Sequence, residues 1–286
     1  MLSNDVLDVA EDLAERVARE AGVVIREAFG KKKKATVTKT SDADLVTETD
    51  QECERIIVRK IKETFPRHKY IGEEEVSATG VMPALTDEPT WMIDPVDGTT
   101  NFVHSFPFVC VSIGLCIGKR PVLGVVYNPI LDELFKAREG RGATLNGVHI
   151  AVSGTSELKK AVFATEIGTK RDQGTIDSTY GRVSALTQAS RAVRMCGSCA
   201  CNMTSVACGR LDGFYEFGFG GPWDVAAAAC IVREAGGQVL DPTGIAFDVM
   251  SRRVLSASNR GLGGEMARIL NEVSPSPSDP PVPLQN

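Results

Sequence analysis

Two apolar stretches, VCVSIGLCIG at 109–118 and PVLGVVYNP at 121–129, are separated only by Lys119-Arg120. So short a connection leaves no room for a parallel crossover and joins them as an antiparallel hairpin. ELFKARE at 133–139 adds a third strand, and the glycines and Asn146 beyond it mark turns. Upstream, Val6, Val9, Leu13, Val17, Ala21, Val24 and Ala28 recur every three or four residues. They predict one amphipathic helix over 4–29, stopped by Gly30. Cys53, Ile56, Ile57, Ile61 and Phe65 form the inner stripe of a second helix over 49–65, which Pro66 ends. Beyond residue 160, the strand-like runs AVFATEI, AVRMC, FYEF, QVLD and VLSAS alternate with helical patterns at 175–190, 198–209, 223–235 and 263–271. Such alternation predicts a layered α/β half.

The 286 residues are 43% apolar and 24% charged, enough for a sizeable core. A net charge of −5 supplies no basic footprint for nucleic acid. No apolar run approaches the roughly 18 residues of a membrane span, and the acidic, helical start is unlike a leader. A cytoplasmic protein is expected, with its eight cysteines as reduced, mostly buried thiols. Lys31 to Lys34 read as a solvated loop. No linker interrupts residues 1–272, which read as a single catalytic domain. Residues 273–286 are rich in proline and serine and read as a disordered tail, in preference to a Pro280-x-x-Pro283 docking ligand.

The stretch IDPVDGTTNFVH at 93–104 follows the apolar run Trp91-Met92. A surface turn uses Asp, Gly and Asn too, but does not need two acids and two threonines after a buried strand. Asp94 and Asp97 are joined by acids at other strand ends and helix starts: Glu73 and Glu74 after Tyr70-Ile71, Asp224 in WDVAAA, and Asp44 and Asp50 in DLVTETD. Taken singly, each of these others reads as a helix start or a solvated run. Taken together they are hard oxygen ligands with no cysteine or imidazole beside them, the set that suits Mg²⁺. Gly98 allows close approach of the backbone, and a helix starting at Thr99 or Thr100 points free amides at an anion.

DLVTETDQ (44–51), IGEE (71–74), WMIDPVDGTTNFVH (91–104), GVVYNP (124–129), TEIG (165–168), WDVAAA (223–228) and EAGG (234–237) together resemble the Mg²⁺-dependent, lithium-sensitive inositol monophosphatases. The likeness runs from about residue 5 to 272. It implies a layered αβαβα sandwich that acts as a homodimer and hydrolyses inositol monophosphates to myo-inositol and phosphate. It implies two or three Mg²⁺ ions: one on Glu73, Asp94 and the Val96 carbonyl, a second on Asp94, Asp97 and Asp224, and a weaker third on Glu73. Asp50 and Thr99 are then expected to orient the attacking water. The Gly98 and Thr99 amides hold phosphate, while Thr169, Cys199 and Glu216 line the inositol pocket beside Asp224. Lithium inhibition is implied by the same resemblance.

VDGTT is similar to the D-x-D-G-T loop of phosphatases with an aspartyl nucleophile, but that loop needs acids two apart, and Pro95 occupies the nucleophile's position. A related phosphatase acting on another sugar or nucleotide phosphate is the runner-up, because the metal ligands read only the phosphate. A non-catalytic scaffold has no reason to keep the whole ligand set. The chain departs from the family pattern at Gly220-Gly221-Pro222, where a His-Cys pair is usual, and at Cys199, where alanine is common. CGSCAC at 196–201 reads as packed thiols, since a zinc site lacks a clear fourth ligand. His104 reads as a structural hydrogen-bonding residue.

Overall fold

The computed structural model describes residues 2–31, 36–38 and 45–284. Asp44 and most of the Lys31–Lys34 run lie outside the described residues. The elements are α1 (Asn4–Phe29), β1 (Thr36–Thr38), β2 (Leu45–Thr47), α2 (Glu48–Thr64), β3 (Lys69–Gly72), α3 (Glu73–Thr79), β4 (Thr90–Asp97) and α4 (Thr99–Val103). There follow β5 (Cys110–Ile117), β6 (Arg120–Asn128), β7 (Glu133–Arg138), β8 (Ala143–Leu145), β9 (Val148–Ile150), β10 (Val162–Thr165), α5 (Gln173–Ala189) and β11 (Ala192–Arg194). The chain continues with α6 (Cys199–Ala207), β12 (Gly213–Phe217), α7 (Pro222–Glu234), β13 (Gln238–Leu240), β14 (Arg253–Ala257) and α8 (Arg260–Asn271).

One sheet has the order β3-β4-β5-β6-β7-β8-β9, and a second β11-β10-β12-β14-β13. The first is antiparallel except for β3 beside β4. In the second, β10 runs parallel to both β11 and β12. Side chains on β4 alternate between faces. Trp91 and Ile93 meet Leu13, Val17, Ile57 and Ile61 of α1 and α2 on one side. Met92 faces α6 and α7 on the other, in a core shared with Phe214 and Val254 of the second sheet. Beyond that sheet lies a third cluster, in which Leu186 of α5 and Leu262 and Met266 of α8 pack on Phe163 and Leu255. The layer order is therefore αβαβα, as the resemblance implies.

The tight middle layer explains two glycines. A Cβ on Gly114 of β5 would sit 2.7 Å from the Ala227 nitrogen, and one on Gly124 of β6 would sit 2.1 Å from the Ala227 oxygen. The hairpin thus admits α7 against its backbone, and the alanine run of α7 is the other half of that fit.

Several expectations change. Strand β4 runs through to Asp97 rather than stopping at Ile93. The acidic run at 73–75, which taken singly reads as solvated, opens helix α3, with Glu74 buried and Glu75 exposed. Residues 143–150 form a further hairpin, β8–β9, closed at Asn146 (φ 50°) and Gly147 (φ 80°), the left-handed pair of a tight hairpin turn. The tail also differs from the expected disorder. Ser178 Oγ donates to the Ser274 carbonyl (2.8 Å), Arg182 pairs with Asp279, and Arg253 donates to the Pro280 carbonyl (2.9 Å). Polar contacts to two buried arginines fix a segment whose composition alone offers little to pack.

Candidate active site

Asp94 and Asp97 both lie on β4. In a regular strand, residues three apart face opposite sides of the sheet. Opposite Asp94 is Ser112 and opposite Asp97 is Cys110, so three steps on β4 match two on β5. That is a β-bulge, and the extra residue returns Asp97 to the face that Asp94 uses. The bulge also accommodates Pro95, which has no N–H to give the ladder.

The other acids arrive from separate layers. Glu73 is the first residue of α3 and lies in hydrogen-bonding contact with Asp94. Asp224 stands in the first turn of α7, where its Oδ2 accepts the Gly220 amide (2.9 Å). Asp97 Oδ2 accepts Ser198 Oγ (2.6 Å) and the Ala200 amide (2.7 Å) at the start of α6. Asp94 Oδ1 accepts the Val96 amide (3.0 Å). Asp94 is 2% exposed, and Asp97 and Asp224 are 8%. Among the described residues no Lys or Arg forms an ion pair with these three.

Buried like charges raise one another's pKa. Burial, with Glu73, Asp97 and Asp224 close by, holds the Asp94 carboxyl well above the usual aspartate range. Burial raises Asp97 to about 6, opposed by its Ser198 and Ala200 donors. Burial, then Asp97 and Glu73, holds Asp224 well above the usual range. The carboxyls converge electrostatically, yet among the described residues no three acids are close enough around one point to clasp a cation as they stand. Each is drawn to its own backbone or hydroxyl donor.

Asp50 caps α2. Its Oδ2 accepts the Thr47 amide (3.0 Å) and the Thr47 hydroxyl, a capping box. Its Oδ1 accepts Thr99 Oγ1 (3.2 Å), and the same hydroxyl lies 3.2 Å from the Val96 carbonyl oxygen. Burial, aided by Glu73 and Glu74, pushes Asp50 up to about 7. Gly98, at φ 92°, caps the short helix α4; a Cβ there would meet the Phe108 carbonyl oxygen at 2.9 Å. His104 ends α4 through its backbone while its side chain is exposed, so the expected structural role of the ring is not seen.

Glu216 on β12 and Cys199 on α6 touch. Burial, then Glu166 and Asp224, holds the Glu216 carboxyl well above the usual glutamate range, and its Oε2 has no hydrogen-bond partner. Burial also keeps the Cys199 thiol well above the usual thiol range. Thr169 sits on the exposed loop after β10. The Gly220-Gly221-Pro222 departure is a helix start: Gly221 is the N-cap and Pro222 the first residue of α7. A Cβ on Gly221 would strike the Trp223 indole at 2.6 Å.

Three supporting residues were not singled out from sequence. Glu54, one turn beyond Asp50 on α2, accepts the Glu74 (2.8 Å) and Glu75 (2.9 Å) amides and so fixes the start of α3 beside Glu73. The four-residue spacing from Asp50 was the available signal. Glu166 Oε1 accepts the Cys196, Gly197 and Asn202 donors at 2.9, 2.7 and 2.6 Å. Ser198 links Asp97 to α6, which only the fold reveals.

The donor set fits a hard divalent cation. Buried carboxylates without a cationic side chain are costly unless another positive charge joins them. A layered αβαβα fold with such acids where its sheets and middle helices meet defines a class of cation-assisted phosphomonoester hydrolases. The inositol monophosphatase family model matches residues 6–275, and the chain belongs to that family. Inositol monophosphatase 3 of Solanum lycopersicum is 56% identical over 272 residues, 95% of this chain and 100% of that protein. Inositol monophosphatase 1 of Bos taurus is 45% identical over 258 residues, 90% of this chain and 92% of that protein. The structure of inositol monophosphatase from Anabaena (Nostoc) sp. PCC 7120 superposes with a TM-score of 0.81 at 34% identity, covering 94% of this chain and 98% of that one.

Proposed function

We propose that the chain hydrolyses inositol monophosphates to myo-inositol and phosphate, with Mg²⁺ held by Glu73, Asp94, the Val96 carbonyl, Asp97 and Asp224. The observation that carries this reading is the electrostatic convergence of Asp94, Asp97 and Asp224, all buried and all raised in pKa, together with the Asp50–Thr99 hydrogen bond. Mg²⁺, two or three ions per site, supplies positive charge for a dianionic ester and makes water more acidic.

The chain's own residues account for the remaining steps. Thr99 Oγ1, donating to Asp50, accepts a hydrogen bond from the attacking water and aims it. Asp50, raised to about 7 by burial, sits near the range suited to receiving a proton at neutral pH. The amides of Gly98 and Thr99 face the phosphate oxygens. Glu216, Thr169 and Asp224 bind hydroxyls of the leaving alcohol, and Cys199 shapes the ring's wall. Water attacks directly and no side chain becomes phosphorylated, because in this reading Asp94 and Asp97 serve as metal ligands rather than as nucleophiles.

The same reading makes the protein a lithium-inhibited homodimer of the cytoplasm. No helix among the described residues is long and apolar enough to cross a membrane. Glycine at 220 places no side chain beside Asp224, which leaves room for a different leaving group, such as a sugar or nucleotide. A substrate panel separates these: inositol 1- and 4-phosphates, galactose 1-phosphate, fructose 1,6-bisphosphate and 3′-phosphoadenosine 5′-phosphate, with varied Mg²⁺ and added Li⁺. Preferred release from an inositol phosphate, abolished by chelation, is expected. Preference for another ester replaces the substrate, and release without divalent cations removes the mechanism.

A further inference from the structure

The segment 274–280 is tied to α5 and to the second sheet through two arginines. Arg182 of α5 is 4% exposed and makes a two-point pair with Asp279, Nη1 to Oδ1 at 3.1 Å and Nη2 to Oδ2. Asp279 Oδ2 also accepts the Ser276 amide (2.9 Å), and the Ser276 and Thr175 hydroxyls are 2.9 Å apart. Arg253 of β14, itself 4% exposed, pairs with buried Asp241 and donates to the Pro280 carbonyl. Between these arginines lies Phe217, with the Arg182 guanidinium carbon 3.9 Å from its ring centre and that of Arg253 4.9 Å from it. Phe217 directly follows Glu216 on β12, and because its side chain lies on the opposite face, beside Tyr215, it bears on Glu216 through the strand backbone.

The second connection is through the loop between β10 and α5. Asp172, the N-cap of α5, accepts the Ser278 hydroxyl (3.4 Å), and a Cβ on Gly174 would lie 3.1 Å from Pro277. Behind the loop is a cavity of about 80 Å³ lined by Glu166, Thr169, Arg182, Ser276 and Asp279 among others. The loop carrying Thr169 is thus backed partly by the terminal segment and partly by space, not by dense core. An element supported this way shifts when its support is withdrawn.

We propose that residues 274–280 are a strap that sets selectivity for polyol phosphates, with Asp279 as its positioning residue. Asp279 acts through Arg182 and Phe217 on Glu216, and through α5 on the Thr169 loop. It touches neither the phosphate nor the carboxylate cluster on β4. The proposal rests on the reading of Glu216 and Thr169 as contacts to the leaving alcohol. It predicts a substrate-dependent effect: esters read through ring hydroxyls depend on the strap, and an ester read only through its phosphate does not.

The test uses full-length Asp279→Ala, Asp279→Glu and Ser276→Ala with saturating Mg²⁺, inositol 1-phosphate and p-nitrophenyl phosphate. Asp279→Ala is expected to raise KM for inositol 1-phosphate by about 3- to 10-fold with kcat changed less than about twofold, the signature of lost binding rather than lost chemistry. Both constants for p-nitrophenyl phosphate stay within about twofold of wild type, and Asp279→Glu recovers most of the KM. Ser276→Ala keeps both charges and shifts KM the same way by less, so it decides the matter if Asp279→Ala does not fold. Unchanged KM, equal losses on both substrates, or no recovery with Glu would show a strap that only stabilises the fold. Wild-type enzyme that ignores inositol 1-phosphate sinks the substrate reading itself, and the strap's role in selectivity with it.

Discussion

The Thr99 hydroxyl donates to Asp50 Oδ1 across 3.2 Å, joining the first turn of α4 to the first turn of α2. The two residues are 49 positions apart in sequence. The same carboxylate caps α2 through Thr47. One side chain therefore carries a structural bond on one oxygen and the proposed catalytic bond on the other.

Asp50→Asn separates these roles. The amide oxygen can still accept from Thr47 or Thr99 but is a far weaker proton acceptor. The expected outcome is a loss of about 10²-fold or more in kcat with KM for inositol 1-phosphate little changed. Thr99→Ala should fall in the same range, and the double variant should lose no more than the worse single one. Steady-state kinetics at saturating Mg²⁺ decide it; additive losses would show that the pair does not act as a unit.

Asp94→Asn is expected to reduce activity by at least about 10²-fold at saturating Mg²⁺. In metal-free protein at pH 8 it should instead stabilise the fold by about 1 kcal/mol, since it removes one of several mutually repelling buried carboxyls. Opposite signs for activity and metal-free stability are the diagnostic. Denaturant unfolding beside the activity assay measures both.

Metal-free stability should fall as pH rises. Asp97 goes from 3.8 to about 6 and Asp50 from 3.8 to about 7 on folding, with Asp94 and Asp224 raised further by burial and by one another. Each binds its proton more tightly in the folded state. The stability linked to these protons is full below about pH 4 and is lost as pH climbs through 6 and 7. In chelator the unfolding midpoint is expected to drop by roughly 2–8 °C between pH 5 and pH 8, and Mg²⁺ should restore it at pH 8. A midpoint that rises over this interval, or ignores Mg²⁺, would contradict the buried acid cluster.

Gly124→Ala tests the layer packing that positions Asp224. Its new Cβ would lie 2.1 Å from the Ala227 carbonyl oxygen, and backbone on both sides must move. A loss of about 1–3 kcal/mol is expected in denaturant unfolding. A neutral result would place α7 farther from the hairpin than the fold requires.

The layered architecture was legible because periodicity changes along the chain: 3.6 through α1 and α2, short apolar runs through β5 and β6, then alternation. α1 begins and ends at the residues the pattern predicts, since Ser3 caps it and Gly30 stops it. The acids of the candidate site stand out in the sequence as types in a distinctive string, and their proposed roles come from the family resemblance. The bulge was not legible. Asp94 and Asp97, three apart, suit one face only once the register slips opposite Ser112 and Cys110. Glu54, Glu166 and Ser198 escaped notice because their partners are backbone amides or residues on distant elements. The terminal strap escaped because composition predicts disorder, while two buried arginines supply the partners that composition cannot show.

The central claim is that Asp94, Asp97 and Asp224, delivered by a bulged strand and a helix start, share divalent cations. Anomalous diffraction from crystals grown with Mn²⁺ in place of Mg²⁺ tests it most directly. Peaks are expected between β4 and the first turn of α7, at about 2.0–2.3 Å from carboxylate oxygens of all three residues, with the Asp224 side chain released from the Gly220 amide. A map in which Asp224 stays bonded to Gly220, and no peak touches both it and the β4 acids, would contradict the claim.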